Sequence, residues 1–407
     1  MNKDKNFFKA QERLAKIKAF LLVSPLLLFV LVFFVTPILL ILVKAVYNPK
    51  VNTLIPKTVV VIKQYDYKNV FPNEKVLKVF LTELQVLSKN RTSGVLAEEL
   101  NRKVSGFGST IKKTARKIRN KDISKIPNYK EYLLSVTKKW NNPKFWMAIK
   151  RSYSSFTFSN VLAAVDFEYD LEGNMVRKEE SKRIYFTILV KTLYMAALIT
   201  FFTIILAYPT AYFLASLPRS KANLLMIFVL LPFWTSLLVR IVSWITLLQE
   251  YGVVNELLIY LSIIDQPLDI VFNQFATVIT MTHILLPFMV LPLYGSMRAM
   301  DITYVKASAS LGANPFRTFI KVYFPLTLSG LSAGAVLVFI ISIGYYITPA
   351  LIGGVDGQMI SNLVEFHMRS SNNWELASAM GGILLFITLA LYAIYNRLVG
   401  VNNMKLG

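Results

Sequence analysis

Six apolar segments, each about as long as a membrane is thick, constrain this 407-residue chain more than any other feature. A helix needs about 20 mainly apolar residues to cross about 30 Å of hydrocarbon. The net charge of +22 would also suit a nucleic-acid-binding protein, but with so many apolar segments it must be read against membrane topology first. The segments lie at 19–46, 189–214, 224–248, 275–297, 326–352 and 377–399.

The first segment follows a basic tail at 1–18, as the apolar part of a secretory signal peptide would. It is too long for a signal peptide and has no cleavage site of the small-x-small type. We therefore expect residues 19–46 to be an uncleaved transmembrane helix.

The connections between the segments differ in charge on the two sides of the membrane. Six spans put both termini on one side, and the tails and connections on that side are basic, whereas those on the other side are mainly acidic. The basic ones are 1–18, 218–221, 298–325 and 401–407, and the acidic ones are 249–274 and 353–376. The positive-inside rule therefore predicts a multi-pass protein of the bacterial inner (plasma) membrane with cytoplasmic termini.

The long connection at 47–185 is predicted to lie outside, although it holds about twice as many Lys and Arg as Asp and Glu. Long translocated domains escape the charge rule, so the topology stands. Helical periodicity predicts helices at 74–89 and, less regularly, at 129–140, and the β-branched run at 58–62 predicts a strand. The first helix would turn one apolar face inward, formed by Val76, Leu77, Phe80, Leu81 and Leu84.

The fold class predicted from these patterns is an all-α membrane protein of six transmembrane helices, with a large α-rich extracytoplasmic insert between spans one and two. Its parts are the tail 1–18, the first helix 19–46, the insert 47–185, a five-helix core at 186–400 and the tail 401–407.

A cluster of six cations lies between positions 112 and 121 of the insert. Such a cluster can contact nucleic acid, but its predicted location favours a helix face that is solvated or faces lipid headgroups. We expect contact with membrane lipids and none with nucleic acid.

The cytoplasmic connection at 298–325 has the local chemistry of two short helices that meet at a corner. Asp301 is placed to cap the first helix, in which Ala307 and Ser308 allow close packing, and Gly312 supplies the left-handed position that ends it. Such an elbow suits docking into the groove of a partner, although an ordinary loop between spans is the simpler alternative.

Two residues favour a new helix start directly after this corner. Asn314 is placed to cap the second helix and Pro315 suits its first turn. Pro325 is expected to end that helix before the next span.

The same elbow resembles a known loop. Permeases of binding-protein-dependent importers have an "EAA" loop with the core Gly-x9-Ile-x-Leu-Pro. This chain matches that core with Gly312, nine further residues and then Val-Tyr-Phe-Pro, which ends at Pro325. The family usually begins this loop with Glu-Ala-Ala, whereas this chain has Lys306, Ala307 and Ser308. A salt bridge made by the usual acidic residue therefore cannot be assumed.

Further segments resemble the spermidine/putrescine-type permeases within that family. LLPFWTSLLVR at 230–240 is similar to their third-span signature, AYPTAY at 207–212 to the end of their second span, and YITPALIGG at 346–354 to the stretch after their fifth span. The resemblance covers 19–46 and 156–399, and it leaves most of the insert, about 48–154, without a counterpart.

The resemblance implies the permease subunit of an ATP-binding-cassette importer for a small solute, with a polyamine such as spermidine or putrescine as the expected cargo. It implies three partners: a cytoplasmic ATPase dimer, a second homologous permease or a second copy of this chain, and an extracytoplasmic solute-binding protein. ATP and magnesium would be used by the ATPase. The chain has no Gly-x4-Gly-Lys-Ser/Thr phosphate loop, so we expect no catalytic residues and no bound cofactor.

Other classes of membrane protein remain possible alternatives. A transporter driven by an ion gradient commonly uses carboxylates inside its spans, and these spans hold essentially none. A simple channel is a further hypothesis for the function of the chain. An enzyme or a metal site is disfavoured, because there is no Cys and the two histidines, His283 and His367, are far apart in sequence.

Several side chains of the core are candidates for the translocation path, each with a structural alternative. For Arg240, a long cation near a helix end, reaching to headgroups is the more common role, whereas anchoring at the interface and packing explain the Trp residues equally well. Pro209, Pro232, Pro287 and Pro292 predict kinked or broken spans. The candidates are Trp234, Thr235, Arg240, Trp244 and Tyr346.

The charge pattern leaves the cargo open. The acidic outer connections would attract a polyamine, whereas the basic insert opposes that field. From its location and charge, the insert is expected to contact the solute-binding protein or to shield the outer mouth.

Overall fold

A computed structural model gives the structure of this chain, and it describes residues 2–399, with the side chains of residues 12–397. The predicted tail at 401–407 lies outside the described residues. The chain divides into two compact units. The first runs through Lys178 and also takes in Trp374–Ala379, and the second comprises Glu179–Asn373 and the last helix from Met380 onward.

The first unit contains ten helices and one hairpin among its described residues. They are α1 (Asn2–Val30), α2 (Thr36–Val46), α3 (Lys50–Leu54), α4 (Pro56–Val61), α5 (Glu74–Lys89), α6 (Ser93–Lys103), α7 (Phe107–Ile118), α8 (Tyr129–Val136), α9 (Pro143–Arg151), α10 (Ser159–Ala163), β1 (Phe167–Tyr169) and β2 (Met175–Arg177). The strands pair antiparallel, with Glu168 opposite Val176. A π-helical turn at Leu31–Val35 joins α1 and α2 into one long apolar helix.

The insert has its own core and returns to its starting point. The predicted helix at 74–89 is confirmed as α5, and all five residues of its predicted apolar face are buried. A cluster of aromatic rings fills the centre, with Trp140 and Trp146 stacked at 4.9 Å between ring centroids. At its ends, the Asn48 N–H donates to Ser155 O at 2.8 Å and the Thr157 N–H to Val46 O at 2.7 Å.

The strand predicted at 58–62 is wrong, because the chain forms helix α4 there. Pro56 fixes the first turn, and the Glu83 carboxylate of α5 accepts the backbone N–H groups of Lys57 and Thr58 at 2.9 and 2.8 Å. A carboxylate on the free N–H groups of a helix start stabilises the helix, and this contact outweighs the β-branched composition. The helix predicted at 129–140 is shorter: α8 ends at Val136, and a 3₁₀ turn, Lys138–Asn141, follows.

A buried ionic cluster joins the insert to the first turn of the last helix. Lys50 Nζ lies 2.9 Å from Glu99 Oε1 and 2.9 Å from Glu375 Oε1, and Arg102 pairs with Glu99. Both carboxylates are only 3% exposed. Charges removed from water need such partners, so this cluster, called the ionic clasp below, fixes the relative positions of α3, α6 and the start of the last helix.

The second unit and the helix shared between the units contain eleven helices among the described residues. They are α11 (Tyr185–Ser216), α12 (Arg219–Trp234), α13 (Leu237–Leu248), α14 (Val253–Tyr260), α15 (Gln274–Ala299), α16 (Thr303–Ser310), α17 (Pro315–Thr318), α18 (Phe324–Gly344), α19 (Ile347–Ile352), α20 (Ile360–Arg369) and α21 (Trp374–Val399).

Helices α11, α15 and α18 pack together as the centre of the second unit. Side chains such as Met281, Leu285 and Met289 of α15 are fully buried. On α18, Gly330 lets the backbones approach closely, since a Cβ there would lie 2.3 Å from the Ser296 Cβ. Small residues at helix crossings are the usual way in which membrane helices pack closely.

Six helices are long and apolar enough to cross a membrane, as predicted, but two of them are placed differently. The predicted span at 224–248 is broken after Trp234, where Thr235 and Ser236 are extended. The candidate span is Leu237–Tyr260, made of α13 and α14, so it takes in the first part of the connection predicted at 249–274. The predicted span at 326–352 begins earlier and ends at Gly344. It ends there because α20 side chains satisfy the freed carbonyls: Ser361 Oγ donates to Tyr345 O at 2.5 Å and Asn362 Nδ2 to Tyr346 O at 2.8 Å.

Candidate functional site

The connection at 298–325 forms the predicted elbow, and its first helix is α16. The Asp301 carboxylate accepts the Thr303 N–H at 2.9 Å just before the helix. Hydrogen bonds from the Thr303 hydroxyl and backbone N–H hold the pKa of Asp301 below its usual value. Asp301 therefore satisfies one free N–H group of the helix start, but from one position before the N-cap, which is Ile302.

The corner of the elbow is a helix end built on glycine. Gly312 has a φ of +82°, which a residue with a side chain rarely adopts. Its N–H donates to Ala309 O at 3.0 Å, and the Ala313 N–H donates to Ser308 O at 3.2 Å. This pair of hydrogen bonds is the Schellman motif, which satisfies carbonyls that the helix end would otherwise leave free.

The second helix of the elbow begins as predicted. Asn314 Oδ1 accepts the Arg317 N–H at 2.7 Å, and Pro315 occupies the first turn, where a missing N–H has no cost. The two helices are tied across the corner by Ser308 Oγ and Thr318 Oγ1, which are 3.1 Å apart. The elbow therefore has hydrogen bonds both at the start of its second helix and across its corner.

The prediction that Pro325 ends this helix is wrong. Helix α17 continues through a π-helical turn, Phe319–Tyr323, into α18, so that Pro315–Gly344 is one 30-residue span. In that turn the Phe324 N–H donates to Phe319 O, five residues back. The wider turn makes room for the ring of Pro325, which would collide with a carbonyl in a regular α-helix.

The outward face of the elbow is apolar. Leu311 is 88% exposed and Phe316 is 70% exposed, and both flank the glycine corner. Lys306 and Ala307 are also exposed, whereas Ser308 is half-buried. Large apolar side chains that are exposed together on a loop outside the membrane usually mark a contact surface.

Aromatic side chains and one arginine connect the elbow to α11. Phe319 packs edge-on against Tyr208, with 5.9 Å between ring centroids, and Tyr323 against Tyr212 at 5.2 Å. Arg298, at the end of α15, donates to Ala215 O at 3.2 Å and to Leu217 O at 3.0 Å. A guanidinium at the C-terminal carbonyls of a helix is stabilising, and sequence reasoning did not assign Arg298 this role.

The path candidates fall at two breaks and on one helix. Trp234, 71% exposed, and Thr235 lie at the break between α12 and α13. Tyr346 lies at the break between α18 and α19, and α13 packs against both α15 and α19.

Trp244 and Arg240 lie on α13. Trp244 Nε1 donates to His283 Nδ1 of α15 at 3.1 Å, so His283 is a hydrogen-bonded interior residue. Arg240 Nε is buried and has no hydrogen-bond partner. The second histidine, His367, lies 3.1 Å from the Tyr185 hydroxyl, and the described residues hold no cluster of metal-ligating side chains.

Comparison with known proteins connects this geometry to a family. Residues 204–401 match the family described as "Binding-protein-dependent transport system inner membrane component". The chain is 35% identical over 222 residues to the spermidine/putrescine transport system permease protein PotB of Escherichia coli K12, a match covering 54% of this chain and 81% of that protein. The chain belongs to this permease family.

Two further similarities extend over comparable lengths. The permease is 32% identical over 213 residues to PotB of Haemophilus influenzae, covering 52% of this chain and 74% of that protein. A bacterial alginate ABC transporter chain aligns with a TM-score of 0.45 at 15% identity, covering 55% of this chain and 80% of the other.

The family match and the PotB relatives show which kind of protein the chain is and which part of it they cover. It is the permease subunit of an ATP-binding-cassette importer, a multi-pass protein of the inner membrane. The elbow and all path candidates lie within the matched region, which starts at residue 204. The insert precedes that region.

Proposed function

We propose that this permease imports a polyamine such as spermidine or putrescine, and that a cytoplasmic ATPase pair drives the import by docking on the elbow. The observation that carries the proposal is the exposed apolar face of the elbow at Leu311 and Phe316, on a corner fixed by hydrogen bonds. The similarity to permeases named for spermidine and putrescine transport supports this cargo.

The contacts of the elbow suggest how force would reach the membrane core. A push on α16 and α17 would act directly on α18, because α17 runs into it without a break. It would act on α11 through Tyr208, whose hydroxyl lies 3.0 Å from Thr327 Oγ1, and through the ring pair of Tyr212 and Tyr323. Rocking of these two helices would alternate access between the two sides.

Docking in this chain is proposed to depend on the apolar side chains of the elbow. Lys306 stands where the family usually has an acidic residue at the start of the loop. An ion pair made by that acidic residue would therefore be absent here. Each large apolar side chain that becomes buried stabilises an interface by about 1.5–3 kcal/mol. Leu311 and Phe316 together are then sufficient to decide whether the ATPase associates.

An association assay with purified ATPase tests the docking proposal. Leu311→Asp combined with Phe316→Asp is expected to weaken association by at least about tenfold, given the burial energy of two apolar side chains. Val355→Asp is the matched control, because Val355 is 85% exposed but lies after α19, away from the elbow. Undiminished association of the double variant would overturn the proposal.

The chemistry proposed for the path is recognition by aromatic faces. In the six spans, Asp and Glu occur only at the start of two spans, at Glu12 and Glu375, and in the span Leu237–Tyr260, where Glu250 and Glu256 follow the end of α13. A polyamine would therefore meet few carboxylates there. Ammonium groups bind over the faces of Trp and Tyr rings, and Trp234, Trp244 and Tyr346 are the candidates. Arg240 would repel a polyamine, and we propose that its free Nε lies beside the path and not on it.

The remaining parts of the complex are also proposals. A solute-binding protein would deliver the cargo, and a second permease, homologous or identical, would complete the path. We propose cytoplasmic termini, which place the elbow with the ATPase and the insert outside. The distribution of basic connections supports this orientation. ATP and magnesium would be bound by the ATPase alone.

A further inference from the structure

The insert carries most of the positive charge of the molecule. Residues 50–151 contain 23 Lys and Arg but only 7 Asp and Glu, so this quarter of the chain supplies a net +16 of the total +22. An excess of this size makes a strong field over the surface of a folded domain. The proposed transport reaction does not require this excess of positive charge on the insert.

All seven carboxylates of residues 50–151 have hydrogen-bond or ion-pair partners within that segment. Glu99 and Glu98 pair with Arg102, and the others accept hydrogen bonds from backbone N–H groups or from Asn or Ser side chains. These others are Asp66 with the Lys68 N–H, Glu74 with the Tyr129 N–H, Glu83 with the Lys57 N–H, Asp122 with Ser124 and Glu131 with Asn128. Few carboxylates are left to neutralise the exposed cations.

Six cations are concentrated on α7 and the turn after it, and this surface is called the α7 basic face. The opposite face of α7 holds the helix in the core through Phe107, Ile111, Ala115 and Ile118, all buried. Among the described ion pairs none involves a member of the α7 basic face, and all six are exposed. The members are Lys112, Lys113, Arg116, Lys117, Arg119 and Lys121.

The composition of the surface favours a lipid partner over a protein. Of the 23 basic residues at 50–151, 18 are Lys, and of the six on the α7 basic face four are Lys and two are Arg. Protein interfaces are enriched in Arg and aromatic side chains and depleted in Lys, and they have an apolar centre. The exposed large apolar residues within the insert's helices are the valines Val60, Val86 and Val95. Its exposed aromatic residues Tyr153, Phe156 and Phe158 lie after α9, outside the α7 basic face.

The attachment of the insert keeps it near a membrane surface. Both of its ends meet at the end of the first span, where Tyr47 pairs with Phe156 in an isolated bridge. A polybasic surface held close to anionic headgroups is attracted to them, and the attraction grows with each Lys or Arg. We propose that the α7 basic face binds the anionic phospholipid headgroups of the leaflet from which the insert emerges.

A labelling experiment on the full-length chain tests this proposal. The chain has no Cys, so Asn120→Cys places a single thiol beside the α7 basic face. The protein is reconstituted into nanodiscs of phosphatidylcholine alone or with phosphatidylglycerol, and the thiol reacts with an uncharged, water-soluble maleimide. At low salt we expect labelling about tenfold slower with the anionic lipid, and recovery at high salt, because screening weakens the attraction.

Two controls distinguish a specific face from general charge. Thr82→Cys, an exposed position on α5, should label equally fast in both lipids. Changing Lys112, Lys113, Arg116 and Lys117 to Gln should abolish the slowing at position 120. Changing four other exposed lysines to Gln removes the same four positive charges, but labelling at position 120 should remain slower with the anionic lipid. These four are Lys68, Lys75, Lys78 and Lys89.

Three results would overturn the proposal. The first is equal labelling at position 120 in both lipids. The second is loss of the slowing in the control set of lysine variants to the same extent as in the α7 set. The third is protection that arises only when the solute-binding protein is added, which would assign the α7 basic face to a protein partner.

Discussion

Gly312 illustrates how much of the proposed function depends on one backbone conformation. Its φ of +82° is favourable for glycine and tolerated by asparagine, but strongly unfavourable for a β-branched residue. No atom lies within 4 Å of a Cβ at this position, so space is not the constraint. Substitutions at residue 312 therefore change the backbone of the corner without a steric clash.

We expect Gly312→Val to abolish most ATP-driven uptake, because the corner cannot close and the exposed face of the elbow is misplaced. Gly312→Asn should retain most uptake, since asparagine accepts the left-handed region at a cost of about 1 kcal/mol. Uptake by the two variants in proteoliposomes checks this. Equal activity of the valine and asparagine variants would show that the corner is not needed.

The ionic clasp gives a second prediction for single residues. Glu375→Gln leaves Lys50 with one carboxylate partner. We expect this to lower the stability of the insert by about 1–3 kcal/mol. The loss is smaller than for a fully buried pair because Lys50 is partly exposed to solvent. Glu365→Gln removes only an exposed pair with Arg369 and should change stability by less than about 0.5 kcal/mol. Thermal unfolding followed by tryptophan fluorescence measures both, and equal effects would refute the role of the clasp.

The clasp should also depend on pH in one direction. Burial alone would lower the pKa of Lys50, but hydrogen bonds and attraction from Glu375 and Glu99 outweigh burial and raise the pKa above 10.5. The lysine's contribution to stability is therefore complete below pH 10.5 and is lost as the pH rises through the raised pKa. We expect the difference between the parent and Lys50→Met to stay constant from pH 7 to 9.

Single residues that act on their own neighbours in the chain could be predicted from sequence, and those that act across the fold could not. Asp301, Gly312 and Asn314 make or accept hydrogen bonds at helix ends within a few residues of themselves, so their roles are visible in the order of residues. Glu83 turns an expected strand into α4 from 25 residues away. Arg298 reaches the end of α11, which no local pattern indicates.

At the scale of helices, the crossing of α15 and α18 depends on Gly330. A Cβ at this position would lie 2.3 Å from the Ser296 Cβ and 2.7 Å from Pro292 O, closer than packed atoms can be. Overpacking of this kind costs about 1–3 kcal/mol. The helices would have to separate to admit even one methyl group.

We therefore expect Gly330→Ala to lower the unfolding temperature of the purified permease. Gly295→Ala is the matched control on α15, because no atom lies within 4 Å of a Cβ there. That variant should be neutral or slightly stabilising, as alanine favours a helix over glycine. A destabilisation by Gly295→Ala as large as that by Gly330→Ala would contradict the crossing described here.

Helix existence was predictable from apolar length, and helix breaks were not. The number of spans and the positions of α11 and α15 follow from uninterrupted apolar runs. Apolar composition continues through the breaks after Trp234 and Gly344, so a hydropathy pattern cannot locate them. The second break is stabilised by hydrogen bonds from α20, which is a tertiary effect.

At the scale of the whole molecule, the insert lies outside the region that matches the permease family. Its ends meet at the hydrogen bond between Asn48 and Ser155, so residues 50–154 can be replaced by a short Gly-Gly linker. Glu375→Gln should accompany the deletion, because the clasp would otherwise leave a carboxylate without its partners.

We expect the deletion variant to reach the membrane and to fold, since the core of the second unit is separate from that of the insert. Polyamine uptake should nevertheless fall several-fold if the insert positions the transporter at the membrane surface or contacts the solute-binding protein. The full-length Glu375→Gln variant is the control. Normal uptake by the deletion variant would show that the insert is not required.

The central claim is that this permease moves its cargo only when a separate ATPase hydrolyses ATP. The direct measurement is uptake of labelled spermidine into proteoliposomes that contain the permease with its partner permease and solute-binding protein, with or without the ATPase. We expect ATP-dependent uptake with the ATPase and only background without it. Equal uptake in the absence of the ATPase, driven by an ion gradient or by diffusion, would contradict the account.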